Sequence, residues 1–306
     1  MDRLEAMEYF IAAVEAGSFT AAGRQLNVPL PTVSRKVADL EAHLNTQLLV
    51  RSTRKLALTE AGVSYLAACK RILDQVDEAE SQAAGEHNVP RGGLKITAPI
   101  VFGRLHVVPV VNAFLAEFPQ INIHLTLSDH ALDLVDEHFD LAVRMGILSD
   151  STLVATKVGE IRRVVCGSPA YFAARGTPKT LDDLAKHMCI TYTALAAGMT
   201  WIFNPRDGSP SRGIRPMCRL KINTAEAAID AAIAGVGITN VFSDQVVKPV
   251  CEGKLSLILQ DFEPEPTPVH IIHARQALVP LKMRLFVDFA VSRLRKSLEE
   301  DLAKLR

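Results

Sequence analysis

Residues Ser18–Leu44 carry the feature that most limits how this chain can fold: two short amphipathic helices separated by a proline-rich turn. In the first helix, apolar residues recur at helical spacing at Phe19, Ala22 and Leu26. The turn that follows ends this helix, because proline fixes its own φ and has no N–H to donate. Pro31 suits the first turn of the second helix, in which one buried stripe is predicted from Val33, Val37, Leu40 and Leu44.

The face opposite that stripe is polar and basic near the start of the second helix. A helix in the major groove of DNA reads base edges with its N-terminal residues, while the preceding helix crosses the phosphate backbone. Helical proteins that bind no DNA also contain two amphipathic helices with a proline-rich turn, so the pattern alone leaves both interpretations open. Under the DNA-binding interpretation, the predicted contact residues are Thr20, Leu30, Pro31, Thr32, Ser34, Arg35 and Lys36.

A predicted hairpin over residues 47–59 favours the DNA-binding interpretation, since two apolar strands flank a basic tip. Such a wing places cations against phosphates or in the minor groove, and the predicted contacts are Arg51, Arg54 and Lys55. Residues 20–60 hold six basic and three acidic side chains, a net charge of +3 in a chain whose total is zero. The positive charge is therefore concentrated where the DNA contacts are predicted.

A longer set of residues in register matches a known family pattern. They are Phe10, Gly17-Ser18-Phe19, Ala21-Ala22, Leu26, Val33-Ser34, Leu40-Glu41, Leu44, Leu48, Arg51, Leu58-Thr59 and Ala61-Gly62. With these residues the chain resembles the LysR-type bacterial transcriptional regulators, and the resemblance covers essentially its whole length. The chain departs from the family at Pro29-Leu30, where a polar pair is common, and at Leu49-Val50 of the wing. The first departure removes a polar DNA contact, so the operator sequence does not carry over from relatives.

The resemblance implies an α + α/β fold class: an N-terminal winged helix-turn-helix, a long linker helix and a C-terminal two-lobed α/β domain of periplasmic-binding-protein type. The expected domains are 1–58 for DNA binding, 59–91 for the linker and dimerisation helix with its hinge, and 92–306 for effector binding. Within the last, lobe I is expected at 92–163 plus 269–306, and lobe II at 164–268. The implied partners are a double-stranded DNA operator, a small-molecule effector between the lobes, and further copies of the chain as a homodimer and homotetramer.

Two helices flank the predicted DNA-binding elements. The first is expected to pack under the helix-turn-helix through Leu4, Met7, Ile11 and Val14. The second begins after Thr59 and meets no proline before Pro90. Its apolar residues alternate by four and three along a seam of Gly62, Leu66, Cys69, Leu73, Val76, Glu80 and Ala83. This seam favours pairing with a second copy of the helix, although packing onto its own domain is the open alternative.

Length and composition limit the classes of protein to which this chain can belong. With 306 residues, 48% hydrophobic and 22% charged, the chain is expected to form two or three ordinary globular domains. Its five cysteines are widely spaced, which argues against a disulfide framework and leaves a redox-active thiol as a minor alternative. Early charges such as Asp2, Arg3 and Glu5 argue against a signal peptide, and no uninterrupted apolar run reaches about 18 residues. A cytoplasmic protein is expected.

From Leu94 onward, strands alternate with helices. Strands are predicted at 94–98, 121–127 and 140–144, with a helix at 107–117 and a short helix at 132–137, an order typical of a parallel sheet. The second half repeats this scheme. Its predicted strands are 164–166, 189–192, 235–240 and 270–273, and its predicted helices are 169–174, 224–234 and 281–306.

The effector is expected beyond the carboxyl ends of the strands, where helix N-termini present N–H groups to an anion. The candidate residues are Thr97, Pro99, Ile100, Val101, Ser128, Asp129, His130, Arg144, Thr193, Thr224 and Thr239. Several have equally good structural explanations. Asn223 or Thr224 is expected to cap a helix, with Glu226 completing a capping box. Arg144 is expected to bind either a ligand carboxylate or a backbone carbonyl. The effector is expected to be a carboxylate-bearing or aromatic metabolite.

No pattern for a metal, cofactor or catalytic site is found. His270 and His273 point to opposite faces of a strand, and the other histidines are scattered. Gly235-Val236-Gly237 lacks the third glycine of the dinucleotide fingerprint, and no nucleophile-elbow motif is present. Three classes remain: a ligand-responsive transcription regulator, which is favoured; a cytoplasmic small-molecule-binding protein with no DNA-reading role; and an enzyme, which no catalytic set of residues supports.

Overall fold

The computed structural model describes residues 1–51, 56–83, 90–130, 134, 137, 139–148, 153–192, 200–205, 210–275 and 279–305. Contacts among these residues divide the chain into two compact units, Met1–Val89 and Pro90–Arg306. We call the first the helix-turn-helix unit and the second the α/β unit.

Within its described residues, the helix-turn-helix unit contains four helices and a two-stranded wing. Its elements are α1 (Arg3–Glu15), α2 (Phe19–Gln25), α3 (Leu30–Leu44), β1 (Leu49–Arg51), β2 (Leu56–Leu58) and α4 (Glu60–Ala83). Side-chain oxygens of Asp2 and Ser18 cap α1 and α2 by accepting backbone N–H groups, as N-cap residues do. Asn45 ends α3 in the left-handed conformation, at φ 49°. β1 and β2 pair antiparallel, which confirms the predicted wing.

Apolar side chains from α1 and α3 form the core of this unit. Val33, Val37 and Leu40 are completely buried, which confirms the stripe predicted for the second helix. The face predicted for α1 was partly wrong, since Leu4 is 38% exposed while Ala6 is completely buried. Met7 is buried and Ile11 and Val14 pack against the core, as predicted, while the most deeply buried residues of α1 are Ala6, Phe10 and Ala13. Small alanines let helices approach closely, yet they add little to a hydrophobic pattern, so the face was misplaced by about one residue.

The start of α4 rests directly on the wing. Thr59 caps this helix by accepting the N–H of Gly62 at 2.9 Å and donates its hydroxyl to the carbonyl oxygen of Gln47 at 2.8 Å. A Cβ on Gly62 would lie 2.0 Å from the carbonyl oxygen of Leu48, so only glycine allows this approach. The wing and α4 are therefore held together by backbone contacts.

The first half of the predicted α4 seam is occupied within its own unit. Gly62 and Cys69 are buried, and Leu66 and Leu73 pack against the core formed by α1 and α3. This half of the seam therefore packs onto its own domain, which is the alternative to pairing that the sequence left open. Farther along, Val76 is half-buried and Glu80 is exposed. Among the described residues, the second half of the seam therefore keeps more accessible surface than the first.

The first sheet of the α/β unit has the strand order β4-β3-β5-β14-β6. Its strands are β3 (Gly92–Ala98), β4 (Ile121–Leu127), β5 (Leu141–Met145), β6 (Leu153–Ile161) and β14 (Thr267–Ala274). β3 is parallel to both β4 and β5, as predicted, but β14 is antiparallel to its two neighbours, so the sheet is mixed. The resemblance placed the β14 segment in lobe I, but its antiparallel pairing was not predicted, because no local pattern records the pairing of strands from distant parts of the chain. The predicted helix at 132–137 lies largely outside the described residues.

The second sheet has the strand order β11-β8-β12-β7-β13. Its strands are β7 (Arg163–Gly167), β8 (Cys189–Tyr192), β11 (Cys218–Ile222), β12 (Ile238–Phe242) and β13 (Ser256–Ile258), beside a separate hairpin of β9 (Trp201–Phe203) and β10 (Arg212–Ile214). The chain enters this sheet after β6 and returns along β14, which pairs antiparallel with β6 over its whole length. Two lobes joined by two crossing strands result, as the resemblance implied.

Helices cover both sheets. They are α5 (Ile100–Phe102), α6 (Val108–Glu117), α7 (Pro169–Arg175), α8 (Ala225–Ile233), α9 (Val247–Cys251) and α10 (Leu281–Lys304). A π-helical turn, Gly103–Val107, joins α5 to α6 in one continuous helix. By length and composition this helix could span a membrane, but Phe102, Val110 and Phe114 lie in the core against the first sheet. Its apolar character is therefore explained by packing.

Candidate DNA-binding surface and effector cleft

The N-terminal turns of α3 expose the polar face predicted to read DNA. Thr32 and Ser34 are half-buried, while Val33 and Val37 on the other side of the helix are fully buried. Four other predicted contact residues are exposed to solvent, namely Thr20, Leu30, Pro31 and Arg35. We call Leu30, Pro31, Thr32, Ser34 and Arg35 the recognition face. Leu30 is 45% exposed, an apolar side chain suited to contact with a thymine methyl group.

Lys36, the other predicted cation of α3, is engaged within the protein. Its ammonium group forms an ion pair with Glu5 of α1, and this hydrogen bond raises the pKa of Lys36 above its usual value. Arg35, in contrast, is exposed and has no ion-pair partner among the described residues. The ion pair between Lys36 and Glu5 fixes the orientation of α3 on α1. Arg35 is therefore the cation near the start of α3 that is accessible to a ligand.

The wing is fixed to α3 by a residue whose role the sequence did not reveal. Glu41 Oε1 accepts the backbone N–H groups of Leu48 and Leu49 at 2.8 and 3.0 Å. A carboxylate that accepts two N–H groups holds a strand start firmly, because hydrogen bonds to charged groups are stronger than neutral ones. Arg51 is the last residue of β1, whereas Arg54 and Lys55 lie outside the described residues.

A cleft in the α/β unit lies where the ends of the two sheets meet. It encloses about 310 Å³, including open solvent. The lining residues come from both sheets and their helices: Pro99, Val101, Phe102, Asp129, Met145, Tyr192, Ala225, Phe242 and Gln245.

Four of the predicted effector residues form one connected group at this cleft. Pro99, Val101 and Asp129 line it. The backbone N–H of Ile100, the first residue of α5, donates to Asp129 Oδ1 at 3.0 Å. The loop after β4 therefore supplies a carboxylate to the N-terminus of the helix after β3.

The other predicted effector residues have structural roles or lie elsewhere. Thr97 and Thr239 are fully buried within strands, and the Thr239 hydroxyl donates to the carbonyl oxygen of Ile190 at 3.2 Å. Ser128 Oγ accepts the N–H of His130, an exposed residue, at 3.2 Å. None of these four is among the lining residues. Thr193 lies outside the described residues.

Thr224 caps α8, since its Oγ1 accepts the N–H of Ala227 at 3.4 Å. The capping box expected with Glu226 was wrong: Glu226 forms an ion pair with Arg104 at 2.7 Å instead. Arg104 belongs to the π-helical turn beside the first sheet, whereas Glu226 belongs to α8 beside the second. This ion pair therefore links the two lobes.

Arg144 lies on the far face of the first sheet from the cleft. Along β5, Val143 and Met145 pack into the core beside α6 and α10, and strand alternation places Arg144 on the opposite face. Burial removes water from its guanidinium group, and this loss of hydration lowers the pKa of that group below its usual value. Arg144 is not among the residues that line the cleft.

Six lining residues were not among the predicted effector contacts, namely Phe102, Met145, Tyr192, Ala225, Phe242 and Gln245. Tyr192 and Phe242 are the last residues of β8 and β12, so the same strand-end rule could have identified them. Arg163 contacts both: its Nη1 donates to Tyr192 Oη at 2.8 Å, and its guanidinium carbon lies 3.9 Å from the centroid of the Phe242 ring.

Three of the five cysteines are buried. Burial raises the pKa of Cys69 to about 11, and those of Cys166 and Cys189 to about 12, so these thiols are not ionised near neutral pH. Within the described part of the chain, no group of three or more His, Cys, Asp or Glu side chains is arranged to hold a metal ion.

Family models match both units of the chain. Residues 4–63 match the bacterial regulatory helix-turn-helix protein of the lysR family, and residues 87–295 match the LysR substrate binding domain. An HTH-type transcriptional regulator of Xanthomonas campestris is 36% identical over 93% of this chain and 83% of its own length. The HTH-type transcriptional activator AaeR of Escherichia coli is 31% identical over 94% of this chain and 93% of its own.

Solved structures of full-length proteins agree. CrgA of Neisseria meningitidis, a LysR-type transcriptional regulator, matches with a TM-score of 0.61 and 31% identity, covering 95% of this chain and 98% of that one. The Vibrio cholerae virulence activator AphB matches with a TM-score of 0.61 and 28% identity, covering 94% and 98%. The chain therefore belongs to the LysR family of DNA-binding transcriptional regulators, with a helix-turn-helix unit followed by a substrate-binding domain.

Proposed function

We propose that the recognition face of α3 reads the operator sequence in the major groove of DNA. The observation that carries this proposal is the exposure of Arg35 beside Thr32 and Ser34, on the side of α3 away from the buried stripe. Arginine is the side chain that most often contacts guanine, through two parallel hydrogen bonds. Arg51, Arg54 and Lys55 of the wing are assigned to the phosphate backbone or the minor groove, and Thr20 of α2 to the phosphates.

The regulator acts as a homodimer paired through α4, and as a homotetramer formed from such dimers. Ile72 and Val76, four residues apart on one face of α4, keep part of their apolar surface accessible, while Leu73 packs against the core of its own unit. Pairing through the accessible side of α4 places two helix-turn-helix units on two half-sites of an operator. The corresponding domain division is 1–58, 59–91 and 92–306.

The cleft of the α/β unit binds the effector, and the protein acts in the cytoplasm by binding rather than by catalysis. Residues from both sheets line the cleft, so a ligand there contacts both lobes at once. A ligand that binds one arrangement of the lobes more tightly than another shifts the population toward that arrangement. Such a shift changes the spacing of the helix-turn-helix units in the assembly, and with it the affinity for the operator.

The DNA-reading role is tested by comparing Arg35→Ala with Lys36→Ala, neighbouring cations of which only Lys36 is paired inside the protein. Fluorescence anisotropy measures the affinity of each variant for a duplex from upstream of the protein's own gene and for a random duplex. Arg35→Ala is expected to weaken operator binding by about 1–3 kcal/mol, with a much smaller loss on random DNA. Lys36→Ala is expected to change operator affinity less than Arg35→Ala does, since its ammonium group already contacts Glu5.

Equal losses on both duplexes for Arg35→Ala would contradict base reading and leave Arg35 as a phosphate contact. If the wild-type protein shows no preference for the operator duplex at low salt, the proposed function itself is wrong.

A further inference from the structure

The helix N-terminus at the cleft already holds an anion that belongs to the protein. The helix that starts at Ile100 and continues to Glu117 presents the positive end of its dipole to the cleft. Such an end commonly binds a carboxylate or phosphate group of a ligand. Here Asp129 Oδ1 accepts the N–H of Ile100 at 3.0 Å, so a side-chain carboxylate occupies this place.

The same carboxylate is also part of the cleft surface. Asp129 is half-buried and lines the cleft, and within the described residues its second oxygen, Oδ2, has no hydrogen-bond partner. A ligand carboxylate at the helix N-terminus would lie beside this negative charge, and like charges at that separation repel. A ligand with an N–H or O–H donor, or with a positive charge, would instead be attracted to Oδ2.

The rest of the described lining is mostly apolar and aromatic. Apart from Asp129 and Gln245, it consists of Pro99, Val101, Phe102, Met145, Tyr192, Ala225 and Phe242, with no Lys, Arg or His among these residues. Arg163 contacts two of the lining side chains, but its guanidinium group is engaged with the Tyr192 hydroxyl and stacked on the Phe242 ring. These surfaces favour a flat, largely apolar ligand.

We infer that the cleft selects an aromatic or similarly flat apolar ligand carrying a neutral or cationic hydrogen-bond donor, and that Asp129 excludes carboxylates. This inference rests on the proposed function of the cleft as the effector site. It assigns two roles to Asp129, which caps the helix through Oδ1 and selects the ligand through Oδ2.

The experiment uses three probes that share one ring system and differ in charge: tryptamine, indole and indole-3-acetate. Isothermal titration calorimetry measures their dissociation constants for the full-length wild-type protein, for Asp129→Asn and for Asp288→Asn. The Asp129→Asn substitution keeps an oxygen that accepts the Ile100 N–H but removes the negative charge. Asp288 is an exposed carboxylate on α10 and serves as the matched control.

The wild-type protein and Asp288→Asn are expected to bind tryptamine about tenfold or more tightly than indole-3-acetate, with indole between them. Asp129→Asn is expected to reduce this preference to about twofold, mainly by improving the binding of indole-3-acetate. Circular dichroism and operator binding of the same preparations show that each variant is folded.

Tighter binding of indole-3-acetate than of tryptamine by the wild-type protein would overturn the inferred ligand class. Failure of both tryptamine and indole to bind would overturn it as well, because an apolar aromatic lining must accept the bare ring. An unchanged preference in Asp129→Asn would overturn the role of Asp129. The DNA-reading proposal is judged separately, by the anisotropy measurements on operator DNA.

Discussion

Replacing His106 with leucine is expected to destabilise the α/β unit by about 3–5 kcal/mol, since it leaves a buried carboxylate without its partner. His106 lies in the π-helical turn and is 4% exposed, with Nε2 3.7 Å from Asp244 Oδ2 and 3.8 Å from Asp301 Oδ2. Its Nδ1 lies 3.0 Å from Ser297 Oγ. Both carboxylate oxygens of Asp244 and Nε2 of His106 are buried without a hydrogen-bond partner among the described residues, and the two side chains face each other at 3.7 Å.

Urea unfolding of the full-length variants measures this loss in the transition that belongs to the α/β unit. Ser297→Ala is the matched control and is expected to cost only about 1 kcal/mol, because it removes one neutral hydrogen bond. Adding Asp244→Leu to His106→Leu is expected to recover much of the stability, since the unpaired charge is then gone as well. A loss below about 1 kcal/mol for His106→Leu would show that Asp244 does not depend on His106.

Replacing Glu41 with alanine is expected to release the wing and to destabilise the helix-turn-helix unit by about 3 kcal/mol. The change leaves the N–H groups of Leu48 and Leu49 without the carboxylate that accepts both of them. Each unpaired buried donor costs about 1–3 kcal/mol. Glu41→Gln keeps an oxygen at the same reach and is expected to lose much less stability.

Thermal unfolding and operator binding of both variants measure the effect. Glu41→Ala is also expected to bind operator DNA more weakly, because the basic wing is no longer held beside the recognition helix. Equal stability of the alanine and glutamine variants would contradict the assignment, since it would mean that the two N–H groups do not need the side-chain oxygen.

The local elements were predictable wherever side chains of one kind repeat at a fixed period. Val33, Val37 and Leu40 define the buried side of α3 by spacing alone, and Pro29 and Pro31 mark where the helix begins. The buried face of α1 was less visible, because Ala6 and Ala13 pack closely without a strong hydrophobic signal. Periodicity thus predicts where an element lies more reliably than it predicts which element packs against it.

Long-range arrangement was less accessible to the sequence. The antiparallel pairing of β14 with β5 and β6 joins residues more than a hundred positions apart, which no local pattern records. The same limit applies to the cleft. Strand ends pointed to Pro99, Val101 and Asp129, but the convergence of Tyr192 and Phe242 from the other sheet depends on how the two lobes meet. Likewise, the pairing of Lys36 with Glu5 became visible only once α1 and α3 were packed together.

The central claim, that α3 reads bases in the major groove through Arg35, is tested most directly by methylation protection at guanine N7 of the operator. The N7 and O6 atoms of guanine lie in the major groove, where an arginine contacts them. We predict that the wild-type protein protects guanines in both half-sites from methylation, and that Arg35→Ala removes protection at one guanine per half-site while the remaining footprint persists. Full protection of every guanine by Arg35→Ala, or no protection by the wild-type protein, would contradict the claim.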